Sequence, residues 1–136
     1  MRIQGFHHLA IQVADVERCT AFYRDVLGLP EQARHHLPDG RLRSVWLTVD
    51  AQGGFLAVER CDGPAGSAEE PFRTPRAGMH LIALRIPPGS RPLVEEELGA
   101  RGVPIVHRTA YTVYVRDPEG NRVGLSHHPH PYPELA

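Results

Sequence analysis

An α+β fold built from two βαβββ modules is what this sequence predicts. Three features point to it. Apolar periodicity runs strand, helix, then three strands, and it does so twice. Gly and Pro, 13 of each, cluster between the periodic segments. Segments of the second half also lie over segments of the first. The 136 residues, 41% hydrophobic and 23% charged, suit one domain with a packed core. Lys+Arg 15 against Asp+Glu 16 gives a net charge of -1. A nucleic-acid partner held by bulk basicity is therefore not expected, nor is a disordered acidic chain. No run approaches the roughly 18 apolar residues of a membrane helix, so no membrane partner is expected. The start, MRIQGFHHLAIQV, lacks the apolar region of a signal peptide, and a cytoplasmic location is expected. Cys19 and Cys61 form no CxxC pair and are expected to be reduced thiols.

The elements follow in order. His8–Val13 reads as a strand. Asp15 stands where a helix N-cap belongs, and Val16, Cys19, Phe22, Tyr23, Val26 and Leu27 follow at helical spacing. Gly28 closes that helix, with Pro30 just beyond. Strands are predicted at Glu31–Leu37, Leu42–Val49 and Gly54–Arg60, with turns at Pro38-Asp39-Gly40 and Gln52-Gly53-Gly54. The second half gives a strand at His80–Ile86. A helix over Leu93–Ala100 follows Ser90 and Pro92 and stops at Gly102 and Pro104. Strands then fall at Val103–Arg108, Tyr111–Arg116 and Arg122–Ser126, the last two joined by Asp117-Pro118-Glu119-Gly120. One domain, 1–136, thus divides into module one (1–61), a joint (62–78), module two (79–127) and a surface tail (128–136).

The repeat fixes how the halves correspond. His8 lies over Leu81, Gly28 over Gly102, and Asp50 over Asp117. The offset falls along the chain, so the first half has the longer middle, near Arg34–Arg41. Two such copies predict a pseudo-twofold arrangement with a site where the halves face each other.

The segments H-H-L-A-I-Q-V-A-D from His7, A-F-Y-R-D-V-L-G-L from Ala21 and Y-V-R-D-P-E-G-N-R-V-G-L from Tyr114 resemble the vicinal oxygen chelate superfamily over nearly the whole chain. That group holds glyoxalase I, fosfomycin-resistance enzymes, bleomycin-resistance proteins, methylmalonyl-CoA epimerase and extradiol dioxygenases. The resemblance implies a glyoxalase-like fold, with each βαβββ unit a curved half-cup around a small-molecule site, and a homodimer. Metal-binding members place ligands on the first and fourth strands of each unit. Carried over, those places are His8, Ala57, Leu81 and Gly124. Three of them offer no donor atom, and one histidine does not hold a divalent ion. No metal and no other cofactor is therefore expected.

Alternation lists what shares a face with those places. On the first module these are Phe6, Ala10 and Gln12 beside His8, then Phe55 and Glu59 beside Ala57. Ser44, Trp46 and Thr48 are expected to join them. On the second module they are Met79, Ala83, Arg85, Arg122 and Ser126, with Tyr111 and Val113 across from them. His80 stands one residue off the ligand place, facing away unless a bulge turns it inward. The candidate acid/base residues are His8 and Glu59, and the candidate ligand-binding residues are Gln12, Trp46, Phe55, Arg85, Tyr111 and Arg122. Against these roles, His8 reads equally well as a hydrogen-bonded core histidine, Trp46 and Phe55 as plain core, and the arginines as rim charges. Inward arginines favour an anionic ligand.

Two function classes stay open. One is a metal-independent small-molecule binder of the resistance or sequestration type. The alternative is a metal-dependent lyase, isomerase or dioxygenase with a rearranged site using His8, Glu59 and His80. Whether any reaction is catalysed is open at this level; a metal-free enzyme moving a proton through His8 or Glu59 leaves the same sequence signature as a binder.

Overall fold

Each predicted strand and helix has a counterpart in the computed structural model, which describes residues 1–67, 69–73 and 77–132. The order is β1 (His8–Val13), α1 (Val16–Ala21), β2 (Glu31–His36), β3 (Leu42–Thr48) and β4 (Phe55–Arg60). The second half follows with β5 (Ile82–Arg85), α2 (Arg91–Ala100), β6 (His107–Arg108), β7 (Thr112–Arg116) and β8 (Arg122–Ser126). The chain divides into two compact units, Met1–Gly66 and Ser67–Ala136. Ala68 and residues 74–76 of the joint, and the tail from residue 133 on, lie outside the described residues.

In the first unit the sheet runs β1-β4-β3-β2, with β1 parallel to β4 and the other pairs antiparallel. A parallel neighbour needs a long crossover, which α1 and the β2–β3 hairpin supply. The Asp15 carboxylate accepts from the Arg18 amide at 3.0 Å, the N-cap its position predicted. The helix does not stay α-helical to Leu27. From Phe22 to Val26 it widens into a π-helical turn, where the Leu27 amide donates to the Phe22 carbonyl. That turn lets the adjacent Phe22 and Tyr23 both be buried, their rings edge to face. Val13, Val45, Leu47, Leu56 and Val58 complete this core. Arg34, on the same face of β2 as the core, reaches Glu17 of α1.

The second unit repeats the plan as β5-β8-β7-β6, again with a parallel first pair. Val113, Val115, Val123 and Leu125 are buried on one face, with Leu98 from α2. The repeat is visible in detail. Gly28 and Gly102 end the two helices at φ of 75° and 69°, which only glycine adopts without strain. Asp50 Oδ1 accepts from the amides two and four residues on, Gln52 and Gly54. Asp117 Oδ1 does the same for Glu119 and Asn121. Both hairpin turns between third and fourth strands are thus pinned by an aspartate at matching positions.

One strand expectation needs correction. β6 covers only His107–Arg108, because Val103–Ile105 make no ladder bonds after Pro104. At the end of the chain residues 128–131 are exposed, and contacts on either side of them hold the chain in place. His127 is buried, the Tyr132 amide donates to the Ala110 carbonyl, and the Tyr132 ring covers the Arg91 guanidinium at 5.0 Å.

Candidate functional site

The core-packing face of each sheet is apolar, and the opposite face carries the candidate residues. In the first unit, register puts them in three cross-strand rows. His8 pairs with Phe55 and Thr48; Ala10 with Ala57, Trp46 and Ala33; Gln12 with Glu59, Ser44 and His35. Small side chains in the middle row leave room for the rings on either side. The His8 imidazole stacks on Phe55 at 4.8 Å and 8°, and Phe55 on Trp46 at 4.5 Å and 25°. His35 continues the series against Trp46 at 4.5 Å. The result is an aromatic row across all four strands. His8 is exposed, so it is not a core histidine, and its Nδ1 shares a hydrogen bond with His7 Nδ1 at 2.8 Å.

The polar row lies at the far end of the same face. Glu59 is half-buried and makes no ion pair among the described residues. Ser44 Oγ and His35 Nε2 are buried without a hydrogen-bond partner. His8 and Glu59 stand four residues apart in the ladder, ~13 Å along the strands. At that spacing they cannot share a proton or a metal ion, so a rearranged metal site using both is not built.

In the second unit, Gly124 pairs with Ala83 and Tyr114, Ser126 with Arg85 and Thr112, and Tyr114 with His107. The residues sharing Gly124's face are therefore Thr112 and Tyr114, not Tyr111 and Val113. Val113 is fully buried on the core side, and Tyr111 packs against the His128 ring at 5.0 Å. The one-residue error inverts the strand's faces. Arg85 is exposed beside Ser126. Arg122 points its guanidinium at the carbonyls of His80 and Pro71, at 3.4 and 3.3 Å, not into open space. Arg116 similarly donates to Gly120 and Glu70. Burial and the nearby Arg122 charge pull the Arg116 guanidinium below its ordinary value.

These two arginines hold the segment before β5 onto the sheet and so place Phe72. Its ring stacks on His107 at 4.8 Å and 23°, and meets Tyr114 at 4.9 Å and His80 at 5.3 Å. Around this cluster is an open pocket of about 450 Å³, lined by Phe72, Arg73, His80 and Leu81 and by His107, Thr109 and Tyr114. That size suits a small molecule. His80, off the ligand place in sequence register, lines the pocket because β5 starts only at Ile82 and the chain before it leaves strand geometry. Sequence reasoning missed Phe72, Thr109, His107, Tyr114 and His35. Correct alternation from Gly124 finds Tyr114. His35 follows from pairing β2 with Ser44. Phe72 carries no local signal.

A divalent metal, which the superfamily resemblance raises, does not fit these residues. Of the four ligand places only His8 has a donor. A Cβ on Gly124 would lie 3.1 Å from both Thr112 Cγ2 and Tyr114 Cε1, so the space for a longer side chain there is already filled. Among the described residues, no group of three or more His, Cys, Asp or Glu is arranged to hold an ion.

The family described as Glyoxalase-like domain matches residues 8–126. No curated protein matches the chain. Among solved structures, a glyoxalase/dioxygenase from Nostoc punctiforme is similar at 19% identity and a TM-score of 0.75, over 93% of this chain and 92% of that one. A lactoylglutathione lyase from Agrobacterium tumefaciens is 21% identical with a TM-score of 0.69, over 94% and 96%. The fosfomycin resistance protein FosX from Listeria monocytogenes, complexed with Mn(II) and sulfate, is 17% identical with a TM-score of 0.69, over 98% of each chain. At these identities the likeness concerns the fold.

Proposed function

The chain belongs to the glyoxalase-like family of the vicinal oxygen chelate superfamily, and from that premise we propose that it binds a small organic molecule without a metal ion. One observation carries the reading. Three of the four metal-ligand places are Ala57, Leu81 and Gly124, and the Tyr114 ring lies over the last. What replaces the ligands is aromatic surface: Phe55 and Trp46 in one unit, Phe72, His107 and Tyr114 in the other. Such surface binds by desolvation and stacking, for which no Lewis acid is needed. The fold also serves enzymes such as the lyase, so family membership alone does not separate binding from catalysis. The separation of His8 from Glu59 counts against a site that uses the two together.

A homodimer and a cytoplasmic location belong to the same reading. The exposed side chains of Ile3, Phe6 and Met79 support self-association.

The test is a thermal-shift screen of small organic compounds run twice, in chelator and with added Mn²⁺ or Zn²⁺. The reading expects stabilising compounds in chelator, with equal effect when metal is added. Compounds that stabilise only with metal, and no longer do so in a His8→Ala protein, would overturn it.

A further inference from the structure

We infer that the pocket of the second unit takes a planar aromatic anion, with its carboxylate or equivalent acid group set toward Arg73. This rests on the metal-independent binding reading and names the ligand class for that site. Two independent features of the pocket lead to it.

The first is shape. Phe72 and His107 lie nearly parallel at 23°, and Tyr114 closes on both, at 4.9 Å from Phe72 and 5.5 Å from His107. Such a wall prefers a flat ring, which stacks or meets it edge to face. A volume of about 450 Å³ admits a ring system with one or two substituents and excludes a folded macromolecule.

The second is charge. The polar lining is Arg73, His80, His107, Thr109 and Tyr114, with no Asp or Glu. Arg73 is exposed and has no carboxylate partner among the described residues. Arg91 and Arg108 of the same unit differ, since both are paired with Glu95. A guanidinium without a counter-charge at the edge of an aromatic wall attracts a planar acid bidentately and repels an amine. Thr109 and Tyr114 add hydroxyls, and the imidazoles of His80 and His107 can donate to an anion.

The test uses the full chain in chelator, with 2-naphthoate, its neutral amide 2-naphthamide, and the cation 2-naphthylmethylamine as probes in titration calorimetry. The carboxylate is expected to bind ~10-fold tighter than the amide, the size of one charge-assisted contact, and the amine more weakly than either. Arg73→Gln, on an exposed residue, is expected to keep the melting temperature while removing the carboxylate's advantage over the amide. Equal binding of carboxylate and amide by the native protein would overturn the inference. So would an advantage that survives Arg73→Gln, or no binding by any of the three. Carboxylate binding that appears only when divalent metal replaces the chelator would instead overturn the metal-independent reading, so the two failures are distinct.

Discussion

The Tyr114 ring lies against Gly124 so closely that a Cβ there would be 3.1 Å from Tyr114 Cε1. The two are register partners on β7 and β8. The residue without a side chain and the residue with a large ring are therefore one packing unit. It occupies the place that the superfamily resemblance assigns to a metal ligand.

Substitution at Gly124 tests that unit. Gly124→Ala is expected to lower stability by about 1–3 kcal/mol, the usual cost of overpacking a filled site. In a Tyr114→Leu background the same change is expected to cost less, because one of the two crowding side chains is gone and only Thr112 Cγ2 remains at 3.1 Å. Urea unfolding of the four proteins in a double-mutant cycle gives the coupling. Independent, additive effects would mean the two side chains do not share the space.

Phe55 is sandwiched between His8 and Trp46 and is 8% exposed. Phe55→Ala is expected to cost about 3–5 kcal/mol, since a large buried ring is lost without collapse of the sheet around it. Trp46 is the sole tryptophan of the chain. Its emission is therefore expected to shift to the red in the variant as water reaches the indole. Unchanged emission would place Trp46 elsewhere than against Phe55.

Glu95 anchors the second unit's ion pairs. Burial pushes its carboxyl up, but hydrogen bonds from Arg108 and Arg91 outweigh this and hold it below its ordinary value of 4.5. The folded protein thus binds this proton less tightly than the unfolded chain. The contribution is full above the unfolded value and is lost as pH falls through the lower, folded one. Glu95→Gln also leaves the buried Arg91 without its counter-charge. At neutral pH the variant is expected to be about 1–3 kcal/mol less stable, the scale of a hydrogen bond to a charged group. The gap is expected to shrink below about pH 4.5. A gap constant from neutral pH to pH 3 would contradict the assignment.

Much of the fold was legible because its signals are local. Asp15, Gly28 and Gly102 act within a few residues and do what their spacing announced, and the aspartates at 50 and 117, aligned by the repeat, act equally locally. The repeat supplied the topology. The sharing of one sheet face was legible where strand register is continuous, as at His8, Gln12, Phe55 and Glu59. It failed at Tyr111, because the face of Val113 and Val115 packs on the core while Thr112 and Tyr114 share the face of Gly124. Arg122 was misread for a different reason. Its partners are carbonyls of a segment without regular structure, and no pattern in the sequence places that segment. Phe72 was missed on the same account, although it is central to the second unit's aromatic cluster. The tail's docking through His127 and Tyr132 likewise depends on long-range contacts with Ala110 and Arg91.

The central claim is that a glyoxalase-like frame is kept while its metal centre is not. The most direct measurement is the metal content of the purified chain after equilibration with Mn²⁺, Zn²⁺ or Ni²⁺ and gel filtration, for the native protein and for His8→Ala. The account predicts substoichiometric metal in both, with no difference between them. A stoichiometric ion in the native protein that His8→Ala loses would contradict it.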